Sequence, residues 1–470
     1  MARIPLWLAV AAAAAFAMGA DAPAAPRRGP DEPRTLVLAL DGVPFRVFEE
    51  ARRRGAFRDW PETARMVAPF PSLTNVSFAV MLAPFGVDDS DGYEVQHFDR
   101  ARNEIARAGL FNYDERLGPW RDAFDVAGRT VGSMLSVYAS PRKRLRKELE
   151  ATAEAVLSSP RDIVLAHADS TDAMQHLKGD AAVVNALLDV DGWISELKSD
   201  HLARFGRPLR EVLLSDHGNS SRKIHGAGGF RRTLRQARLD VTWEIDDPND
   251  VVAATFGMVG YGALYLTPDR AEIAARGLAR HDAVAVAAWR AGPTAVGVAS
   301  GIATARIEWK TGPNGTRYRY TTSGGDPLDL EPLAARLATE GRLDRDGFAS
   351  DDDWFRGTLR ALYPDAPGRL ARAFTQDPVR NRANVLFSLR PGFAWGWQSA
   401  QASSWLRGGR LEGTHGGLDA ESSLGFVISS DPALSFGDGV RARDVLEPLR
   451  REIERGVRPG VLHTASATSP

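Results

Sequence analysis

Three short apolar runs, each closed by an acid, a histidine or both, set the pattern of the first half of the chain. Thr35–Leu40 (TLVLAL) ends in Asp41-Gly42, Asp162–Leu165 (DIVL) runs into AHADSTDAMQH, and Val212–Leu214 stops at Ser215-Asp216-His217. Continuous apolar runs of this length are what strands buried on both faces look like. Val131–Val137 reads as a further strand. Around them, apolar positions recur every three or four residues over Phe45–Phe57, Arg142–Leu157 and Ala181–Phe205, which is a helical period. Strand and helix alternate through residues 35–218, which predicts an α/β fold with a largely parallel central sheet flanked by helices.

The pattern changes after residue 226. Ala283–Trp289, Thr294–Ala299, Ile302–Trp309 and Thr316–Thr322 are short strand-like stretches, and Gly312-Pro313-Asn314-Gly315 between the last two is a hairpin signal. Leu328–Leu362 reads as helical and charged. Core-like sequence returns at Asn384–Leu389 (NVLFSL), followed by the glycine-rich GTHGGLD (Gly413–Asp419) and by SLGFVIS (Ser423–Ser429). The expected organisation is an α/β core over 34–225 and 380–445, a smaller α+β insertion with an antiparallel sheet over 226–379 acting as a cap, and a C-terminal tail over 446–470. At the other end, Arg3, the apolar run Ile4–Met18 and the small residues Gly19, Ala20 and Ala22 read as a signal peptide over 1–22. A Pro- and Ala-rich leader follows over 23–33. The apolar run is shorter than the roughly 20 residues of a spanning helix. Export to a periplasm or beyond is therefore expected, without a stable membrane span; an uncleaved anchor is the alternative.

Composition narrows the chemistry. The 470 residues include no cysteine, which excludes disulfides, thiolate zinc sites and cysteine nucleophiles; a metal must be held by His, Asp, Glu or hydroxyl groups. A formal net charge of −1 and the absence of basic stripes argue against a nucleic-acid polymer as partner.

Against that background the ends of the apolar runs become candidates. Carboxyl ends of strands in open α/β sheets open into the ligand crevice, and Asp216 and His217 side by side there are two potential metal ligands. On these two residues alone the commoner reading has Asp216 capping a helix and His217 at the surface. Asp41 reads either as a third ligand or as the start of an Asp-Gly turn. Asp172 and His176 stand four apart and share one face if the segment is helical, with Asp169 and His167 as rivals. In MVAPFPSLTNVSFAVML, Ser72 or Thr74 begins a helix; Thr74 is an N-cap by the commoner pattern, or a nucleophilic hydroxyl where helix N–H groups favour an anion. His415 lies in the glycine-rich loop just before a core strand. Asp41, Thr74, Asp216 and His217 make one candidate site, and Asp172, His176 and His415 another. Two divalent cations, with zinc best suited to this donor mixture and manganese or iron as alternatives, would clamp an in-line displacement.

The order D-G, P-S-L-T, D-x-x-x-H, S-D-H-G and G-T-H-G resembles the alkaline phosphatase superfamily, and most closely its type I phosphodiesterase and nucleotide pyrophosphatase branch. The resemblance covers about residues 34–225 and 380–430. It implies a metal-dependent phosphoric ester hydrolase acting on a small-molecule phosphate ester. Thr74 would be the nucleophile, forming a phospho-threonine intermediate beside a metal held with Asp41, Asp216 and His217. Asp172, His176 and His415 would hold the other metal. The chain also departs from the pattern. Where many members carry P-N-H after the nucleophile, Val76, Ser77 and Phe78 stand here. The diesterase branch's phosphoryl-binding asparagine has no clear counterpart in PFGVDDSDGYEVQHF, where Gln96 and His97 are the substitutes on offer. The sulfatase motif is absent. A phosphoryl-group transferase, or a non-catalytic metal-binding protein of the same fold, are the competing expectations.

Overall fold

The computed structural model describes residues 33–106, 118–127, 139–254, 257–396 and 411–456. The signal-like segment 1–22, the leader up to residue 32, the Val131–Val137 run and the tail from residue 457 lie outside them. The fold is mixed α/β.

Its first sheet gathers the runs that end in acids. The strands are β1 (Arg34–Leu40), β2 (Ala64–Val67), β3 (Ile163–Ala168) and β4 (Leu209–Leu214), together with two late arrivals described below. Helices α1 (Phe45–Arg53), α2 (Thr74–Leu82), α3 (Pro141–Ser158), α4 (Ser170–Lys178) and α5 (Asp180–Phe205) connect or cover them. β1 lies between β3 and β4 and is parallel to both, as the buried, continuously apolar sequence of all three requires. One face packs Leu36, Leu38 and Leu40 against α1, α3 and α5, with Phe48 stacked 3.8 Å from Phe426. The other face packs Val37, Ala39, Leu165 and Leu214 against Phe78 and Met81 of α2.

The second large sheet, nine-stranded and antiparallel except where its edge strand Asp240–Thr242 runs parallel to Asp250–Ala253, carries β5 (Tyr261–Tyr265), β6 (Val284–Gly292), β7 (Ala295–Ser300), β8 (Ala303–Gly312) and β9 (Gly315–Ser323). β8 and β9 form a hairpin closed at Gly312 and Gly315, the latter at φ +87°, where the Asn-Gly signal put it. The stretch Leu328–Leu362 is not one helix: Glu331–Thr339 and Asp351–Thr358 are separated by the edge strand Ala349–Ser350. Gly341 and Gly347, both at positive φ, turn the chain there. Helix α6 (Ala366–Thr375) then leads to β10 (Val385–Leu389), which pairs between β6 and β5. Only β11 (Leu424–Ser429) and β12 (Gly439–Arg441) rejoin the first sheet, whose order is β12-β2-β11-β4-β1-β3. β11 is antiparallel to β4 and β2, and the other five strands share one direction.

Candidate metal centre

The register of the sheet aligns the acids. Leu40 faces Ala168 and Ala39 faces Leu214, so the segments that follow β1, β3 and β4 leave the sheet side by side at its carboxyl edge. Ser215 ties two of them together: its Oγ accepts from Val43 N at 2.8 Å and donates to His217 O at 2.8 Å. Thr171 Oγ1 donates to Asp41 O at 2.7 Å and links the third.

Thr74 is the first residue of α2 and does not cap it; the N-cap position is Leu73, in extended conformation. The threonine side chain instead faces Asp41 Oδ1 at 3.2 Å and His217 Nε2 at 3.1 Å. His217 Nε2 lies 3.3 Å from Asp216 Oδ2 and 3.5 Å from Asp41 Oδ1, so four groups converge on one point. Neighbouring it, His176 Nε2 approaches Asp172 Oδ2 at 3.1 Å, and His415 Nε2 lies 3.8 Å from Asp172 Oδ1. The His217 and His415 rings stack at 4.0 Å, which joins the two groups. All seven candidate residues thus lie together. Of the rivals, Asp169 turns to Arg144, 3.9 Å away, and His167 turns to Asp41 rather than to the other histidines.

The imidazoles are set for coordination. Nδ1 of His176, His217 and His415 lies 2.8, 2.8 and 3.0 Å from the carbonyls of Gly413, Gly218 and Ser72. A carbonyl only accepts, so each Nδ1 carries the ring proton and each Nε2 offers a lone pair inward. Two carboxylate oxygens at the site, Asp172 Oδ1 and Asp216 Oδ2, are buried without a hydrogen-bond partner. Donor atoms of Asp172, His176 and His415, and of Asp41, Asp172 and His217, each lie within 4.8 Å of one another. Oxygen and imidazole donors at this spacing fit a divalent cation.

Electrostatics point the same way. Burial raises the Asp41 carboxyl well above the ordinary range, and Asp216 and Asp172 beside it add to the effect. Asp216 is raised by burial as well. Burial opposes the charge on Asp172, but the His176, His415 and His217 imidazoles together outweigh it and hold that carboxyl low. Burial brings His415 down to about 3 and His167 to about 4. Against its burial the His176 imidazole is raised by Asp172, while burial lowers His217. Three acids are thus crowded among imidazoles of which only one readily takes a proton, an arrangement that a bound cation relieves.

Backbone and buried polar groups hold the donors. The His415 loop pairs with the loop that leads into α2 through Ser72, whose N–H reaches Gly416 O at 3.4 Å. Arg369 of α6, with 2% exposure, donates to Leu418 O at 2.8 Å, Pro69 O at 3.1 Å and Ser72 Oγ at 2.9 Å, stitching both loops. Arg369 carried no signal in the sequence, since its loop partners lie far along the chain. Asn75, next to Thr74, is not aimed at the site: Nδ2 donates to Gly92 O at 2.9 Å, and Oδ1 accepts from Gly118 N at 3.0 Å and Trp120 Nε1 at 2.8 Å. His97 packs on Gly92.

Gly42 matters for another reason. It has φ +65°, and a Cβ there would lie 2.4 Å from Asp172 Oδ1. Gly42→Ala is expected to displace Asp172 and weaken metal binding by tenfold or more, on the scale of roughly 1–3 kcal/mol for strained backbone. Gly437→Ala is the control, since φ is +61° and nothing lies within 4 Å. It should lose comparable stability in urea unfolding and keep its metal content; equal metal content in both variants would remove Gly42 from the site.

No family model matches the chain, and no curated protein matches it in sequence. Among solved structures, human ectonucleotide pyrophosphatase/phosphodiesterase 5 aligns over 91% of this chain and 96% of its own, with a TM-score of 0.45 and 13% identity. The murine protein gives the same coverage and TM-score at 11% identity, and an inactive murine variant in complex with AMP does so at 12%. No helix among the described residues is long and apolar enough to cross a membrane.

Proposed function

We propose that the protein is an exported phosphoric ester hydrolase of alkaline-phosphatase-like fold, with two divalent cations, probed first as zinc, and Thr74 as nucleophile. The observation that carries this reading is the convergence of Thr74 Oγ1, Asp41, Asp216 and His217 on one point beside Asp172, His176 and His415. Asp41, Asp216, His217 and Thr74 would hold one cation; Asp172, His176 and His415 the other. Bound there, divalent cations supply positive charge that acidifies hydroxyl and water protons and offsets negative charge on a phosphoryl group.

The chain's own residues supply the rest. Asp41 Oδ1 and His217 Nε2 orient the Thr74 hydroxyl from 3.2 and 3.1 Å. The first intrahelical bond of α2 is Ser77 N to Leu73 O, so the N–H groups of Thr74, Asn75 and Val76 precede the helical ladder and suit a phosphoryl oxygen. Thr74 Oγ forms a bond to phosphorus as the bond to the ester oxygen breaks, and the alcohol leaves with a proton. Water then attacks the phospho-threonine from the vacated side, releases the phosphate and restores the hydroxyl. The segment 226–379 would shape the entrance, and the signal-like residues 1–22 would direct the chain to a periplasm or outside the cell.

The test is metal analysis of the purified protein with turnover of p-nitrophenyl phosphate and bis-p-nitrophenyl phosphate, before and after chelation. Two divalent ions per chain and ester hydrolysis abolished by chelator and restored by zinc are expected. A metal-loaded chain that turns over neither ester would overturn the hydrolase reading.

A further inference from the structure

His167 differs from the other three histidines at the sheet edge. It is the last residue but one of β3, it is 2% exposed, and its Nε2 lies 3.0 Å from Asp41 Oδ2. Unlike the other three, its Nδ1 has no carbonyl to donate to, so the ring proton sits on Nε2, where the Asp41 carboxylate accepts it. His167 therefore donates through Nε2, whereas His176, His217 and His415 donate through Nδ1 and keep Nε2 bare. Its own Nδ1 is buried without a partner. The ring is walled by Phe78 at 4.9 Å, Trp120 at 5.6 Å and Phe124 at 5.8 Å. Phe78 lies one turn beyond Thr74 on α2, and Trp120 is pinned by Asn75, so the wall is built on the helix that carries the threonine.

The two oxygens of Asp41 are thereby assigned different tasks. Oδ2 meets His167 at 3.0 Å and stands 3.5 Å from the Thr74 hydroxyl, while Oδ1 is nearer that hydroxyl at 3.2 Å and faces His217 at 3.5 Å. We propose that His167 is a positioning residue: its Nε2–H anchors Oδ2 of Asp41 and so fixes Oδ1 toward the cation pocket shared with Thr74 and His217. The inference rests on the metal-centre reading above. Partners of metal ligands typically change affinity by about 10–100-fold when removed. The Asp41 group should feel the loss most, because His176 and His415 of the other group hold their positions through Gly413 and Ser72.

The experiment is chelator-competition titration of zinc, with cobalt absorption as a second readout, on the full chain and on His167→Leu and His167→Gln. Loss of the donor in His167→Leu should weaken one of the two ions by about 10–100-fold and leave the other within about threefold. Glutamine brings an N–H donor to nearly the same place and should recover most of that loss. His167→Met deletes the donor at similar volume, so it serves if the leucine variant unfolds. Two unchanged affinities, two equally weakened ones, or a glutamine variant as poor as leucine would overturn the role of His167 alone. A wild-type chain that binds no divalent cation overturns the metal-centre reading, and this inference with it.

Discussion

Thr74→Ala is expected to lower ester turnover by on the order of 10⁴-fold or more, the scale on which enzymes lose rate when their nucleophile is removed. Both cations should stay bound, because Asp41, Asp216 and His217 still converge without the hydroxyl. The fold should also hold: the threonine begins α2 without capping it, and alanine is the better helix former there. Thr74→Ser separates hydroxyl chemistry from geometry. Serine keeps the oxygen but loses the methyl group that restricts χ1, so turnover should fall by no more than about a hundredfold, as for a misplacement of about 1 Å. The measurement is steady-state hydrolysis of both p-nitrophenyl esters with metal content determined on the same samples. An alanine variant that retained near-normal turnover at full metal content would return Thr74 to a structural role.

What the sequence made legible was local chemistry at the ends of strands. Asp41, Asp216 and His217 follow apolar runs that can only be buried strands, and a parallel sheet delivers such ends to one edge. That reasoning needs no knowledge of distant contacts, but Thr74, at a helix start, and His415, in a glycine-rich loop, entered on other grounds. The sequence left Thr74 open between cap and nucleophile, because both readings put a hydroxyl at a helix start; only the geometry shows Leu73 in the capping position. The allocation of strands was less legible. Val385–Leu389 and Leu424–Ser429 are both apolar runs of strand length, yet one pairs in the second sheet and the other in the first. Burial dictates composition, whereas the choice of partner is set by long-range packing. The same limit hid Arg369, whose partners lie 49 to 300 positions away apart from Pro364.

Asp365→Asn is expected to produce a large loss of stability, about 3–5 kcal/mol, the range for breaking a buried ion pair by removing one partner. Asp365 is fully buried at the start of α6, where it accepts from Arg372 and from Arg441 Nε at 2.8 Å and Nη2 at 3.1 Å. Arg441 belongs to β12, the edge of the first sheet, so this carboxylate fastens α6 to that sheet. Asparagine matches its shape and tolerates its φ of +51°, so the change isolates the charge. Two guanidinium groups would then share Asp351, which Arg441 meets at 2.8 Å and Arg372 at 3.7 Å. The pH dependence has a definite sign. Burial opposes ionisation of Asp365, but Arg372 and Arg441 outweigh it and hold the carboxyl below its ordinary value. Its contribution is therefore present above pH about 4 and is lost as the pH falls through the folded-state value. Urea unfolding at pH 7 should show a lowered midpoint for Asp365→Asn, and the gap to the wild type should narrow on acidification. A gap below about 1 kcal/mol at pH 7 would put this cluster among surface ion pairs, which contribute that little. Because α6 also carries Arg369, the same variant should loosen the loops that hold Ser72 and His415, and its activity should fall at urea concentrations where the wild type is unaffected.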